Sequence, residues 1–362
     1  MPDDPSSSTD PTDATNTSAP ASRPGLLRSI AHRLAGEQVA LPVEGHLARF
    51  DGATGWLNSE PLTPEGLRGR VVLVDFWTYT CVNWLRTLPY IRAWAAKYRD
   101  AGLTVVGVHT PEFGFERDVD NVVAAVRDFR VDHPVAIDSA YGVWSAFANH
   151  YWPAVYIADA EGRLRYHHFG EGEYAATEMV IQQLLMDAGV DGVDQDLVAV
   201  EPVGLEVAAD WRTLGSPETY VGYGQSSGFA QEEVARFDEP QAYALPARLS
   251  LNQWALAGEW VVARHAGLLR APGGRIAFRF HARDVNLVMG PASRGTAVPF
   301  RVLLDGQSVG AEHGTDVDDA GNGAVDEQRT YQLIRQPGPI AERTFEIAFT
   351  AAGVEAYCFT FG

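Results

Sequence analysis

Residues 71–77 read VVLVDFW, an almost unbroken apolar run with the length of a strand buried on both faces. The spacing predicts a helix directly after it, with Leu85, Leu88 and Tyr98 among its apolar positions. Residues 103–108 (LTVVGV) make a second buried run, and 116–130 carry Val119, Val122, Val123, Val126 and Phe129 at helical spacing. A short strand is expected over 134–137 and a helix over 141–150. Residues 154–158 and 164–169 flank the turn 159–162, a hairpin signal, before a closing helix over 173–187. Strands alternating with helices predict an α/β sheet, to which the hairpin adds an antiparallel edge.

Past about residue 190 the pattern changes. Residues 191–214, rich in Val, Gly, Asp and Pro, read as a linker. Beyond them the period becomes two. Ile276, Phe278 and Phe280 alternate with polar or small residues, as do Val285, Leu287 and Met289, and Val298, Phe300 and Val302 before an Asp305-Gly306 turn. Phe345, Ile347 and Phe349 repeat the pattern, and so do Tyr357, Phe359 and Phe361. Short alternating strands between turn signals predict an antiparallel β-sandwich over 215–362. At the other end, residues 1–24 are rich in Ser, Thr, Pro and Asp and are expected to be a disordered tail. The expected organisation is thus a tail, an α/β domain over 40–190, a linker, and an all-β domain.

Length and composition agree with two domains: 362 residues, 46% of them hydrophobic, supply two cores. Lys and Arg total 28 against 47 Asp and Glu, a formal charge of -19. That balance repels phosphate backbones, so nucleic acid is not an expected partner. No run reaches the ~18 apolar residues of a membrane span, so membrane insertion is not expected. The first 25 residues lack the cationic start and apolar stretch of a secretory signal, and 26–34 is too short and polar to anchor the chain. Cys81 and Cys358 are too few for a disulfide framework, and a cytoplasmic location is the expectation.

The chemistry concentrates at the end of the first buried run, in Asp75-Phe76-Trp77-Thr78-Tyr79-Thr80-Cys81-Val82-Asn83-Trp84. A strand ends and a helix begins here, which puts Cys81 at or near a helix N-terminus. The free N–H groups and the dipole there favour a thiolate, the form in which cysteine is a nucleophile.

These residues resemble the thioredoxin superfamily. An Asp-Phe-Trp triplet begins six residues before Cys81 and Pro89 follows it by eight, both at the family's positions. Trp152-Pro153, ahead of a predicted strand, is similar to the family's cis-proline, which packs against the reactive cysteine and shapes the substrate groove. Residues 111–138 resemble the extra helix and strand of the TlpA and peroxiredoxin-like branch. More closely, 40–362 resembles the soluble C-terminal part of actinobacterial DipZ-type cytochrome c biogenesis proteins. The stretches WPAVYIADAEGRLRYHHFGEGEY and LRAPGGRIAFRFHARDVNLVMGPASRGT carry that likeness. It implies a thioredoxin fold followed by a jelly-roll sandwich like a carbohydrate-binding module. The family's membrane-embedded part has no counterpart in these residues, so electron delivery across a membrane by this chain itself is not expected.

The departure is Trp84, which stands where the family's Cys-x-x-Cys has its second cysteine. That second thiol attacks the mixed disulfide and releases product, and tryptophan cannot. Three alternatives follow. An external thiol, small or carried by a partner protein, resolves Cys81 in a monothiol cycle. Peroxide oxidises Cys81 to a sulfenic acid that an external thiol reduces, an antioxidant activity. Or the thiol is inert, and the chain is a binding or adaptor protein whose sandwich recognises a glycan or a protein.

Around Cys81, Thr78 and Thr80 are candidate hydrogen-bond donors and Pro153 shapes the groove. Trp77 and Trp84 either wall that groove or fill core. The resemblance gives Asp75 the role of assisting proton transfer at the second thiol; with that thiol gone, its effect would fall on Cys81. Arg86, on the active-site helix, is a candidate charge favouring the thiolate, with a solvated surface arginine as the default. His109 is a candidate proton donor at the same end of the sheet, with a hydrogen-bonded structural histidine as the default. His133, His150, His167 and His168 show no ligand spacing, and no metal or organic cofactor is implied. In the second domain Asp316, Asp318, Gly321 and Glu327 echo a calcium loop, but Ala320 stands at a ligand position and an acidic hairpin loop is expected. Trp211, Trp254 and Trp260 are either sugar-stacking or core. Cys358, out of phase with its apolar neighbours, is a resolving thiol only if the domains dock.

Overall fold

A computed structural model describes residues 41–362; the tail over 1–24 and the segment 26–34 lie outside the described residues. The chain divides into two compact units, one ending at Glu201 and one running from Pro202 to Gly362.

The first unit is built on β1 (Gly45–His46), β2 (Gly55–Leu57), β3 (Val71–Trp77), α1 (Val82–Tyr98), β4 (Leu103–His109), α2 (Val119–Asp128), β5 (Val135–Ile137), α3 (Gly142–Ala146), β6 (Ala154–Ala158), β7 (Arg163–Phe169) and α4 (Tyr174–Asp187). Its seven strands lie in the order β1-β7-β6-β3-β4-β5-β2. β3, β4 and β5 are parallel, β6 runs antiparallel to β3, and β7 to β6. This is the thioredoxin fold. All seven residues of β3 are buried because it lies at the centre of the sheet with helices on its faces, which is why its sequence shows no alternation. α1 buries Trp84, Leu88, Ile91, Trp94 and Tyr98, one stripe at helical spacing. The lower part of that stripe packs with Leu73, Val105, Ile157 and Leu184.

Two elements differ from the sequence expectation. The helix expected over 116–130 is a 3-10 turn (Gly114–Arg117) followed by α2. Asp118 breaks it: its backbone is extended and its carboxylate accepts the Asp120 N–H at 3.0 Å, a helix N-cap. The helix expected over 141–150 shrinks to Gly142–Ala146, because Ala148 turns into the left-handed region (φ 48°) and Asn149 N–H closes back on the Trp144 carbonyl.

The second unit holds twelve antiparallel strands: β8 (Thr219–Tyr220), β9 (Gln241–Tyr243), β10 (Trp254–Val262), β11 (Gly267–Leu269), β12 (Arg275–His281), β13 (Asp284–Pro291), β14 (Val298–Leu304), β15 (Gln307–Ser308), β16 (Asn322–Val325), β17 (Arg329–Arg335), β18 (Glu342–Phe349) and β19 (Val354–Phe361). β10 joins two halves. Its start pairs with β12 and its end with β9 and β11. The strand turns between them at Gly258 (φ 91°), where a Cβ would lie 2.9 Å from the Gly274 Cα. Ile276, Phe278, Phe280, Val285, Leu287, Met289, Phe345, Ile347, Phe359 and Phe361 meet in one core, the sandwich expected from their alternation.

In β19 the phase is not that of Tyr357, Phe359 and Phe361. A bulge opposes Val288 to Cys358 and Met289 to Ala356, so Val354 and Ala356 join the core and Tyr357 does not. Nor is 202–214 a free linker. Arg283 and Arg335 both pair with the buried carboxylate of Asp284, and their Nη2 groups donate to the carbonyls of Ala208 (2.8 Å) and Gly204 (3.0 Å). That segment is therefore tied to the sandwich.

Candidate active site

β3 and β4 run parallel with Trp77 opposite His109 and Asp75 opposite Gly107, so all four share one face at the carboxyl ends of the two strands. Helix α1 covers that face. Cys81 is its N-cap residue, 7% exposed: the Cys81 N–H donates to the Thr78 carbonyl at 3.2 Å, and the Cys81 carbonyl accepts the first helical N–H, from Leu85, at 3.0 Å. Cys81 thus stands at the end of α1 where the first-turn N–H groups have no partners within the helix, and its side chain makes no cap hydrogen bond to them. The Trp152–Pro153 peptide bond is cis, and Trp152 donates from Nε1 to the Thr110 carbonyl at 3.1 Å.

Trp84 and Trp77 are both 0% exposed. Their indoles stack at 4.3 Å between centroids and 18° between planes, and Phe129 meets Trp84 edge-on at 5.9 Å. They fill core beneath Cys81 and do not wall a groove. The position of Trp84 follows from the α1 stripe: it is the first member of the buried series that continues through Leu88 and Ile91. Its indole N–H donates to Asp75 Oδ2 at 2.9 Å. Asp75 is fully buried, and its other oxygen has no hydrogen-bond partner among the described residues. Burial pushes this carboxyl up from 3.8 to about 7, against a smaller pull downward from the Trp84 hydrogen bond.

His109 lies between Trp77 (edge-on, 4.8 Å) and Tyr79 (stacked, 5.7 Å). It is fully buried, and neither ring nitrogen has a hydrogen-bond partner among the described residues. Burial lowers it from 6.5 to about 3, against a smaller upward pull from its own backbone, so the ring is neutral near pH 7. His133, lowered to about 4 by burial and then by the Arg99 charge, reaches the same face. A Cβ on Gly107 would lie 2.9 Å from Trp77 Nε1 and 3.3 Å from His133 Nε2, so the glycine makes room for both rings.

Arg86 is a correction. It is buried, and its Nη1 pairs with Glu171 Oε1 at 2.9 Å, with both side chains at most 5% exposed. Glu171 sits in the loop after β7, and Tyr174 donates to the Arg86 carbonyl at 3.4 Å. Burial raises the Glu171 carboxyl, and the Arg86 charge opposes that rise. The pair therefore ties α1 to the loop ahead of α4.

Thr78 and Thr80 are buried. Thr80 Oγ1 donates to Glu116 Oε1 at 2.6 Å, a contact the sequence did not announce. Glu116, fully buried in the 3-10 turn after β4, also accepts the N–H groups of Glu112 (2.6 Å) and Phe113 (2.8 Å) on Oε2. Burial raises this carboxyl, and the Thr78 and Thr80 hydroxyls and those two N–H groups act the other way. The available signal was Asp118: a helix N-cap there leaves Glu116 in the preceding turn.

In the sandwich, Trp254 and Trp260 are core and only Trp211, of the three tryptophans considered, is exposed. The Asp316 carboxylate is engaged by Arg329 (2.7 Å) and the Gln332 N–H (2.7 Å), and Asp318 caps Asn322, so these residues form an acidic loop held by its own contacts. Cys358 is buried within β19 and its thiol donates to the Phe359 carbonyl at 3.5 Å. Among the described residues no group of three His, Cys, Asp or Glu could hold a metal ion, and no helix is long and apolar enough to cross a membrane.

The parallel β3-β4-β5 sheet, the antiparallel β6-β7 edge and a cysteine at the N-cap of α1 define a thioredoxin-like domain. Residues 216–362 match the family model described as the Thioredoxin like C-terminal domain. The chain is homologous to protein DipZ of Mycobacterium tuberculosis, 37% identical over 257 residues that cover 68% of this chain and 35% of DipZ. It thus spans about a third of that relative's length. It is also homologous to the thiol-disulfide oxidoreductase YkuV of Bacillus subtilis, 27% identical over 141 residues covering 39% of this chain and 95% of YkuV. NHL repeat-containing protein 2 of Bos taurus is 37% identical over 126 residues, 34% of this chain and 17% of that protein. Among solved structures, a thioredoxin-like protein in the oxidized form matches 41% of this chain and 99% of its own at 28% identity, with a TM-score of 0.38.

Proposed function

We propose that this chain is a single-cysteine thiol oxidoreductase, with Cys81 as nucleophile and an external thiol as resolving group. The observation that carries this reading is the pairing of a cysteine at the N-cap of α1 with a buried tryptophan three residues on. Homology to thiol-disulfide oxidoreductases supports the redox class. In the monothiol cycle the Cys81 thiolate attacks one sulfur of a substrate disulfide, forming a mixed disulfide and expelling the other sulfur as thiolate. An external thiolate then attacks the mixed disulfide, returning Cys81 as thiolate and leaving with the substrate sulfur. In the peroxide variant, the Cys81 thiolate attacks a peroxide oxygen, breaking the O–O bond and releasing water or an alcohol as it becomes a sulfenic acid; one external thiol then condenses with it, releasing water, and a second displaces Cys81 as thiolate, leaving with the first as a disulfide. Trp84 bars the internal alternative in both, since an indole cannot displace a sulfur. Pro153 shapes the groove, and Thr78 and Thr80 order the loop that carries the thiol. A reducing, cytoplasmic setting is part of the same proposal, because it supplies the external thiol.

The second reading is an adaptor whose sandwich binds a glycan or protein. The exposed Trp211 and the separate family match of residues 216–362 support it. One experiment separates the two. The alkylation rate of Cys81 is followed against pH, with Cys81→Ser as blank and intact mass recorded after mild peroxide. The enzyme reading expects a midpoint below the ~8.5 of an unperturbed thiol. A thiol with an unperturbed midpoint that never gains an oxygen sinks it.

A further inference from the structure

The two oxygens of the Glu116 carboxyl have different tasks. Oε2 caps its own 3-10 turn by accepting the N–H groups of Glu112 and Phe113. A turn that needed only this cap would be served by one oxygen. Oε1 instead reaches across 36 residues of sequence to the Thr80 hydroxyl, at 2.6 Å. Thr80 is the residue immediately before Cys81, in the four-residue loop over 78–81 between β3 and α1. The bond from the Cys81 N–H to the Thr78 carbonyl, by contrast, is internal to that loop. The Glu116 contact anchors the loop from outside, to the segment that follows β4. It does so with a fully buried carboxyl, a group whose burial is costly unless its hydrogen bonds are made. Glu112, Arg117 and Tyr141 are the neighbouring titratable groups.

We propose that Glu116 is a positioning residue for Cys81, holding the Thr80 hydroxyl so that the cysteine stays at the N-cap of α1, where the first-turn N–H groups have no partners within the helix. This rests on the reading of Cys81 as nucleophile and deepens it. The dipole effect fades within the first turn of a helix, so a thiol that drifts from the N-cap loses its stabilisation as thiolate. Nothing in the Cys-x-x-Trp motif itself points to Glu116. Its role comes from the β4–α2 segment packing against the β3–α1 loop.

The test uses the full chain. The pH midpoint of Cys81 alkylation is measured in the wild type, in Glu116→Ala, in Thr80→Val and in the double variant, with circular dichroism to report the fold. Thr80→Val removes only the hydroxyl and leaves the Glu116 cap on its own turn intact, so it serves even if Glu116→Ala does not fold. Each single substitution is expected to move the midpoint upward, toward the ~8.5 of a free thiol, by about one pH unit. The double variant is expected to move no further than the larger single, because both singles break the same Thr80–Glu116 contact. A wild-type midpoint already at the free-thiol value overturns the nucleophile reading. A depressed wild-type midpoint that stays put in folded variants, or single effects that add in the double, overturns this inference and leaves the nucleophile reading standing.

Discussion

Replacing Asp75 with asparagine is expected to stabilise the first unit, and to do so only as the pH rises. Folded Asp75 keeps its proton up to about pH 7, whereas the unfolded chain loses it near 3.8. Between those values the folded state binds more protons than the unfolded state, so stability falls with rising pH. The favourable contribution is complete below pH 3.8 and is gone once the pH passes through 7. The interval is about three pH units, and at 1.36 kcal/mol per unit it corresponds to roughly 4 kcal/mol. Asparagine has no proton to lose, and its amide oxygen can still accept the Trp84 N–H. Its amide N–H groups, buried where Asp75 Oδ1 has no partner, add a cost of about 1–3 kcal/mol. That cost is the same at every pH. The readout is therefore the change in the stability difference between Asp75→Asn and wild type from pH 5 to pH 8, measured by calorimetry on the transition of the first unit. It should grow in favour of asparagine with pH and level off above 7. A constant difference across that range, or one that favours the aspartate at high pH, would refute the assignment of Asp75 as a buried carboxyl held near neutrality by desolvation.

Trp84→Cys restores the spacing of a dithiol but empties a stacked core position, so a loss of about 3–5 kcal/mol is expected. If Cys81 is the nucleophile, mild oxidation of that variant should remove two hydrogens from its intact mass, whereas the wild type shows no such change. Arg86→Ala strands the buried Glu171 carboxyl and should cost about 3–5 kcal/mol in chemical denaturation; a loss below about 1 kcal/mol would mean the pair behaves like an exposed one. Gly258→Ala sets a Cβ 2.9 Å from the Gly274 Cα at a left-handed φ, so the second unit's transition should lose at least about 2 kcal/mol, and an unchanged transition would contradict the turn in β10.

The homologies have a bearing on how far the activity can be read. DipZ is nearly three times the length that this chain matches, whereas YkuV is matched over 95% of its length by 141 residues of this chain. Cys81 lies in the first unit, so the thiol chemistry proposed for it is to be sought there. Whatever the sandwich recognises is a separate question, to be asked of Trp211 rather than of Trp254 or Trp260, which lie in the core.

Local signals in the chain determined a great deal. The apolar run that ends at Trp77 and the helical spacing that follows it place Cys81 at a helix N-terminus, and the alternation over 276–361 is that of a sandwich. The loss of a resolving thiol at Trp84 is visible by inspection. These features depend on neighbours a few residues apart, and periodicity reports such neighbours directly. What the tertiary structure alone decided are contacts between residues far apart in sequence. Arg86 meets Glu171 across 85 residues and Thr80 meets Glu116 across 36, and no spacing rule pairs them. The same holds for the bulge that takes Tyr357 out of the core, since the register of β19 is set by its partner β13. Trp84 stands between the two cases. Its place on the buried stripe of α1 was readable, but its bond to Asp75 required β3 and α1 to pack face to face. Only that packing turns a missing thiol into a buried indole that holds the carboxyl beneath the cysteine.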